Sequence, residues 1–442
     1  MYFDSSNLKY FQYCYMKKII IISFILCITI TSCKKNNTEK KTPIVFVHGL
    51  LAAGDTYEKQ AKRFASNGYS LDDLYAFDYN TLDVVTNPEN ALDNFINEVL
   101  AKTKSTKVNL VGHSRGAALV YDYCKTYEKA KKIEHLVMLA GFKQSNAAGP
   151  SGSLPALNIY SVDDKIVAFG GNIIRAKNIK LEKKDHYEVA TCETSFEEMY
   201  KFFNNGKNPI TLDVVPEDNI ILSGKAASFG ENIARAGTVV EIYEIDATTG
   251  FRINEKPDAV FTTDAQGNWA SFSAKKSTYY EFVVYNPDVS GDRKVHYYRE
   301  PFLRSDKFVY LRSFPSGESL AAIFLASLPK DDKQSVVAFF GASQSVLSGR
   351  DVLNINGYNY ANATFATAAN TTIALFLFDD NKNKQTDNTT VLSFALFPFL
   401  KGADAYFQTN TLSTILFELN GRKIPVCNWK SESEGVSVAV FE

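Results

Sequence analysis

Read by the spacing of its apolar positions, the chain changes character once, near Asn208. Before that point short apolar runs alternate with stretches of helical spacing; after it nearly every apolar stretch has the signature of a strand. In the first part, Pro43-Ile44-Val45-Phe46-Val47 predicts a buried parallel strand, and Val108 to Val111, His135 to Ala140, Leu157 to Tyr160 and Asn178 to Leu181 are further strand candidates. Helix-compatible stretches run from Ala117 to Tyr127 and from Ser195 to Phe203. In the second part the strand candidates are Val239 to Ile245, Phe261 to Trp269 around a tight turn, and Tyr279 to Tyr285. They continue at Val336 to Phe340, Thr372 to Phe378, Val391 to Phe399 and Val436 to Phe441, with Asp379 to Asn388 as a polar hairpin loop. The pattern therefore predicts an α/β domain over 43–207, then two all-β, sandwich-like domains over 208–305 and 306–442.

The N-terminus has its own pattern. Met16-Lys17-Lys18 is followed by the apolar run Ile19 to Ile30 and then by Thr31-Ser32-Cys33. An apolar run of about a dozen residues is too short to span roughly 30 Å of hydrocarbon, which favours a signal segment over a transmembrane helix. Ile30-Thr31-Ser32-Cys33 resembles the bacterial lipobox, which implies lipidation at Cys33 and a mature protein anchored to the bacterial cell envelope, at the outer membrane or cell surface. Residues 1–33 are then an upstream segment plus lipoprotein signal, with 1–15 an artefact of an upstream start site, and 34–42 a polar tether.

Composition narrows the function. The formal net charge is −1, which argues against a nucleic-acid binder. The mature chain would keep Cys124, Cys192 and Cys427, and three thiols do not make a disulfide framework. There is no C-x-x-C, no His/Cys ligand spacing and no phosphate-cradling loop, so neither a metal nor a cofactor is expected. A monomer is expected, with an ester or lipid substrate and the membrane as its contacts.

The chemistry is carried by Gly112-His113-Ser114-Arg115-Gly116, which closes the strand Val108 to Val111 and opens a helix. A sharp strand-to-helix turn holds a serine hydroxyl clear of the backbone, and flanking glycines let the neighbouring segments approach. A nucleophile of this kind needs a base and an orienting acid later in the chain. Of the five histidines, His48 and His113 flank the candidate oxyanion loop and the elbow, His135 leads a strand and His296 lies in the β-rich half, which leaves His186 as the base. Asp163 and Asp164 follow the strand Leu157 to Tyr160 and supply the carboxylates. Attack on an ester builds charge on oxygen, which two backbone N–H groups, those of Leu50 and Arg115, are placed to receive.

Residues 43–203 resemble a small α/β-hydrolase of the compact bacterial lipase A type, with a small lid or none. The resemblance rests on Pro43 to Gly49, Asp73 to Asp78, the elbow, and Ile159-Tyr160-Ser161. In those lipases the acid precedes an x-I-V tripeptide, which implies Asp164 before Lys165-Ile166-Val167, with Asp163 as the alternative. Two departures are Arg115, where many have Met or Gln, and Asp185, where a Gly commonly precedes the histidine. The β-rich half is similar in architecture to transthyretin-like modules and to the C-terminal β-domain of archaeal and bacterial lipases. The implied activity is a membrane-anchored serine carboxylesterase or lipase acting on acylglycerol-type lipids. A surface binding lipoprotein with an inert hydrolase domain, or an esterase acting on acylated polysaccharide or polyester, are the other readings. The aromatics Phe397, Phe399, Tyr406 and Phe407 are candidates for an exposed binding surface.

Overall fold

Alternation within the strands of the first part sorts their side chains onto two faces. The computed structural model describes residues 40–442 except 84, 169, 316–318 and 397–398. Cys33, with the expected signal, and Phe397 lie outside the described residues. Six strands, β1 (Ile44–Val47), β2 (Leu74–Phe77), β3 (Val108–His113), β4 (Ile133–Leu139), β5 (Ala156–Ser161) and β6 (Lys177–Leu181), form one sheet in the order β2-β1-β3-β4-β5-β6. Every neighbouring pair is parallel. Parallel neighbours require crossovers, and these put helices on both faces. Ile44 and Phe46 pack with Phe196, Met199, Tyr200 and Phe203, which lie at i, i+3, i+4 and i+7 on the helix Glu193–Phe203. Val45 and Val47 pack on the other face with Leu92, Ile96 and Val99 of the helix Glu89–Thr103 and Val120 of the helix Arg115–Tyr123.

The β-rich half is built on one long sheet. Its eight strands run in the order Leu400–Asp404, Ala374–Phe378, Val336–Gly341, Val436–Phe441, Val295–Arg299, Tyr279–Tyr285, Val239–Ile245, Ala259–Thr262. A three-stranded sheet, with Ile220–Ser228 between Asn268–Ala274 and Asp306–Ser313, packs on one end through Trp269, Phe282, Val309 and Leu311. A four-stranded sheet packs on the other end, where Phe417, Leu419 and Ile424 meet Val337, Leu375 and Leu377. The border expected at 305/306 is bridged twice. The C-terminal strand Val436–Phe441 pairs in parallel with both Val295–Arg299 and Val336–Gly341, and Asp306–Ser313 pairs with Ile220–Ser228.

Two local expectations change. The stretch read as a strand from Val391 to Phe399 contains instead the short helix Leu392–Leu396, because Val391 and Phe394 bury at a spacing of three and not two. Gly402 makes room for the Phe394 ring, since a Cβ there would stand 2.6 Å from Phe394 Cδ2. The loop 379–388 is not a hairpin, because Ala374–Phe378 and Leu400–Asp404, the strands on either side of this crossover, run parallel.

Candidate active site

The elbow is a strained turn made possible by two close approaches. Ser114 sits between β3 and the helix Arg115–Tyr123 at φ 54°, ψ −118°, a conformation costly for a residue with a Cβ. A Cβ on Gly116 would lie 2.3 Å from the Val47 carbonyl oxygen and one on Gly112 2.4 Å from that of Gly116. Only glycine at both positions lets the helix descend onto β1 and the turn that follows it.

The loops after β5 and β6 bring Asp164 and His186 together. His186 Nδ1 donates to Asp164 Oδ2 at 2.7 Å, and both residues are buried, at 1% and 4% exposure. Asp164 Oδ1 accepts the Ile166 and Val167 N–H groups at 2.8 and 2.9 Å. Burial opposes the charge on Asp164, but the His186 bond and these two N–H groups outweigh it and hold the carboxyl below its usual range. Asp163 turns away: it is exposed, and its Oδ2 accepts the Lys183 N–H at 2.6 Å. His186 Nε2 is buried with no hydrogen-bond partner among the described residues and lines the same cavity as Ser114. His113 donates from Nε2 to the His186 carbonyl at 3.0 Å; burial, then the proximity of His186, lowers its pKa to about 3, so this buttress is neutral.

Leu50 lines the same cavity as Ser114, and Arg115 follows the serine at the start of its helix; neither backbone N–H has a backbone acceptor among the described residues. The loop is braced from behind. Leu51 N–H donates to Thr81 Oγ1 at 2.9 Å, and His48 stacks on Tyr79, whose hydroxyl donates to the His48 carbonyl at 3.1 Å. The Arg115 side chain is committed to the Thr81 carbonyl, to which Nη1 donates at 2.6 Å.

What covers the site comes from the β-half. Ser114, His186 and the loop Gly49 to Ala52 line a cavity of about 1120 Å³, part of it open to solvent. Its other walls are mostly apolar and include Phe229, Phe314, Phe340, Phe376, Phe399 and Val438, with Asp55 and Arg312 among the polar exceptions. Phe399 stacks near His186, with ring centroids 6.1 Å apart. Of the aromatics read as a candidate exposed surface, Phe399 and Phe407 are buried and Tyr406 is half-buried. These wall residues are scattered over some two hundred positions, and no local pattern marks them.

A second contribution of the β-half holds the turn that carries His186. Asp185 Oδ1 accepts the Glu188 N–H at 2.9 Å while Glu188 Oε2 accepts the Asp185 N–H at 3.1 Å, a reciprocal cap around His186. Asp185 Oδ2 also accepts Ser345 Oγ–H at 2.7 Å, and Arg350 Nη1 donates to Glu188 Oε2 at 2.5 Å. Tyr187 donates to the Ala342 carbonyl at 3.0 Å, and Thr191 to that of Ser343. The D-x-x-E spacing at 185–188 was a readable signal for the cap; its partners at 342–350 were not.

Residues 41–138 match the lipase (class 2) family, 218–315 match the lipase C-terminal domain, and 339–442 match a further C-terminal domain family. Among solved structures, the chain resembles lipase B of Aspergillus fumigatus at 13% identity, covering 40% of this chain and 55% of that one, TM-score 0.31. It also resembles a predicted CIB-like hydrolase of Thermoplasma acidophilum (15% identity, 38% and 88% covered, TM-score 0.29). A monoacylglycerol lipase of Paleococcus ferrophilus is a third (14% identity, 38% and 97% covered, TM-score 0.29). With its parallel sheet, its elbow and its β-rich continuation, the chain is an α/β-hydrolase of the lipase and esterase kind that carries C-terminal β-domains.

Proposed function

We propose that this protein is a serine carboxylesterase or lipase whose substrate is an acylglycerol-type lipid. The observation that carries the reading is an apolar cavity that opens onto Ser114 and His186, with His186 bonded to Asp164. In this mechanism His186 Nε2 takes the Ser114 proton as Oγ attacks the ester carbonyl, and Asp164 stabilises the imidazolium that forms. The Leu50 and Arg115 N–H groups receive the developing oxyanion. His186 returns the proton to the departing alcohol, leaving an acyl-Ser114; water then adds with His186 again as base, and the acid is released. The unpartnered Nε2 supports this role, because a base must have an open nitrogen. An acyl chain suits the aromatic and aliphatic walls, which favours a lipid over an acylated polysaccharide or polyester. Lipidation at Cys33 would tether the enzyme at the bacterial envelope.

A panel of p-nitrophenyl esters of increasing chain length tests the reading. Activity should rise with chain length until the cavity is filled, be blocked by an organophosphate, and vanish in Ser114→Ala. Full turnover by Ser114→Ala sinks the serine mechanism, and a folded wild type inert on every ester returns the protein to a binding role. Cys33→Ser should abolish detergent-phase partitioning.

A further inference from the structure

We propose that the loop 379–387, together with Asp404, is a calcium site in the β-half, built by residues that take no part in the cavity. The loop reads Asp379-Asp380-Asn381-Lys382-Asn383-Lys384-Gln385-Thr386-Asp387, with an oxygen-bearing side chain at every second position from 379 to 387. Calcium takes six to eight oxygens, and the twelve-residue loops that hold it in EF-hand-type sites present them from positions one, three, five, seven and nine. Asp379, Asn381, Asn383, Gln385 and Asp387 fall on those positions, with Gln385 contributing its carbonyl. The sharp turn that such loops make at position six falls on Lys384, which adopts φ 61°. Asp379 holds the turn: its Oδ1 accepts the Asn383 N–H at 3.1 Å and its Oδ2 the Lys384 N–H at 2.9 Å.

That geometry would suit any tight polar loop. What points to a ligand is Asp404. It is 2% exposed, and its Oδ1 is buried with no hydrogen-bond partner among the described residues. The loop begins and ends beside it. The first loop residue follows Phe378, the register partner of Asp404, and the loop returns where the Asn388 N–H donates to the Asp404 carbonyl at 2.9 Å. Asp404 Oδ2 accepts the Asn381 N–H at 3.3 Å. A buried carboxylate oxygen without a partner is costly unless a cation joins it.

The donor set is mixed. Among the described residues no three Asp, Glu, His or Cys side chains already converge at metal-ligating spacing. The amide oxygens of Asn381 and Asn383 and the Gln385 carbonyl must therefore complete the shell, and these are ordinary calcium ligands but poor ones for a transition metal. Asn381 and Asn383 each donate to Asp387 Oδ2 at 2.8 Å, which keeps that carboxylate on the loop. Position twelve is Thr390, where such loops carry a bidentate glutamate, and Asp404 from the neighbouring strand takes its place. Two amides in place of carboxylates, with Lys382 and Lys384 on the same loop, put the expected Kd at about 10⁻⁴ to 10⁻³ M.

The test is calorimetric titration of the full chain, stripped with EDTA, with calcium chloride. One site is expected, and about 10 mM calcium should raise the melting temperature by a few degrees where magnesium gives little. Asp404→Asn and Asp379→Asn should remove both the heat and the shift while circular dichroism stays that of the wild type. If either variant misfolds, the exposed Asn383→Ala decides, with a loss of affinity of about tenfold or more expected. Absence of calcium heat and of a melting shift in the wild type overturns the site. So does a shift that magnesium reproduces in full, or calcium affinity unchanged in the folded variants.

Discussion

Asp163 and Asp164 are adjacent carboxylates with opposite surroundings, and the difference separates their roles. The Asp163 side chain is exposed and holds only the Lys183 N–H, whereas Asp164 is buried and shared between His186 and two backbone N–H groups. Under the proposed mechanism, Asp164→Asn removes the acceptor that selects the His186 tautomer, and kcat should fall by about 10⁴. Asp163→Asn keeps an oxygen for Lys183 and should stay within a few-fold of wild type. Steady-state kinetics on one soluble ester checks the ranking, and the reverse order would move the acid to Asp163. Arg115 teaches a related lesson: a charged side chain next to Ser114 braces the turn at Thr81 and does not line the cavity.

At the scale of elements, the turn 185–191 depends on a strand-end segment about 160 residues further along the chain. Arg350 stands at the centre of this clamp, donating to Glu188, to Asp185 at 3.3 Å and to the Ser345 carbonyl at 2.6 Å. Burial, followed by repulsion from Asp185, raises the Glu188 carboxyl, so the guanidinium is what lets two acids sit together beside His186. Arg350→Gln should misplace the imidazole and lower kcat by about 10²-fold with KM little changed, since a small displacement of a reacting group costs on that order. Arg350→Lys, which keeps the charge but not the fork, should recover part of the loss. Equal changes in kcat and KM, or no rescue by lysine, would assign Arg350 to the fold alone.

Residues Thr42 to Glu442 form one compact unit, and the reason lies in what the helix Glu58–Ser66 and its neighbours bury. Glu58 accepts Arg299 at 2.6 Å, Asp55 accepts Arg312 at 2.6 Å, and Asp78 accepts Tyr310 at 2.7 Å, each reaching from the hydrolase part into the β-half. Phe308 and Tyr310 belong to the same apolar cluster as Ile44 and Phe46. A fragment ending near Asn208 should therefore aggregate or lose its cooperative melting, because it exposes that cluster and strips the partners from buried charges. A soluble fragment with a sharp melting transition and wild-type kcat on a small ester would make the β-half a detachable capture module.

The sequence by itself determined the elements whose signals are local. Short apolar strands before helices specify the parallel sheet, and the paired glycines at 112 and 116 specify the elbow, because a forbidden Cβ is a property of single positions. His186 was reachable by elimination among five histidines. The residues by themselves left Asp163 and Asp164 open, and only the lipase resemblance pointed to Asp164; the tertiary structure is what brings Asp164 to His186, through the direction a loop gives it. It alone joined the two β-segments, since the last strand takes its place in the middle of a sheet begun two hundred residues earlier. It also closed the cavity and clamped the histidine turn. Apolar alternation says that a strand has a buried face but not what that face is buried against, and here the β-half buries part of its apolar surface over Ser114.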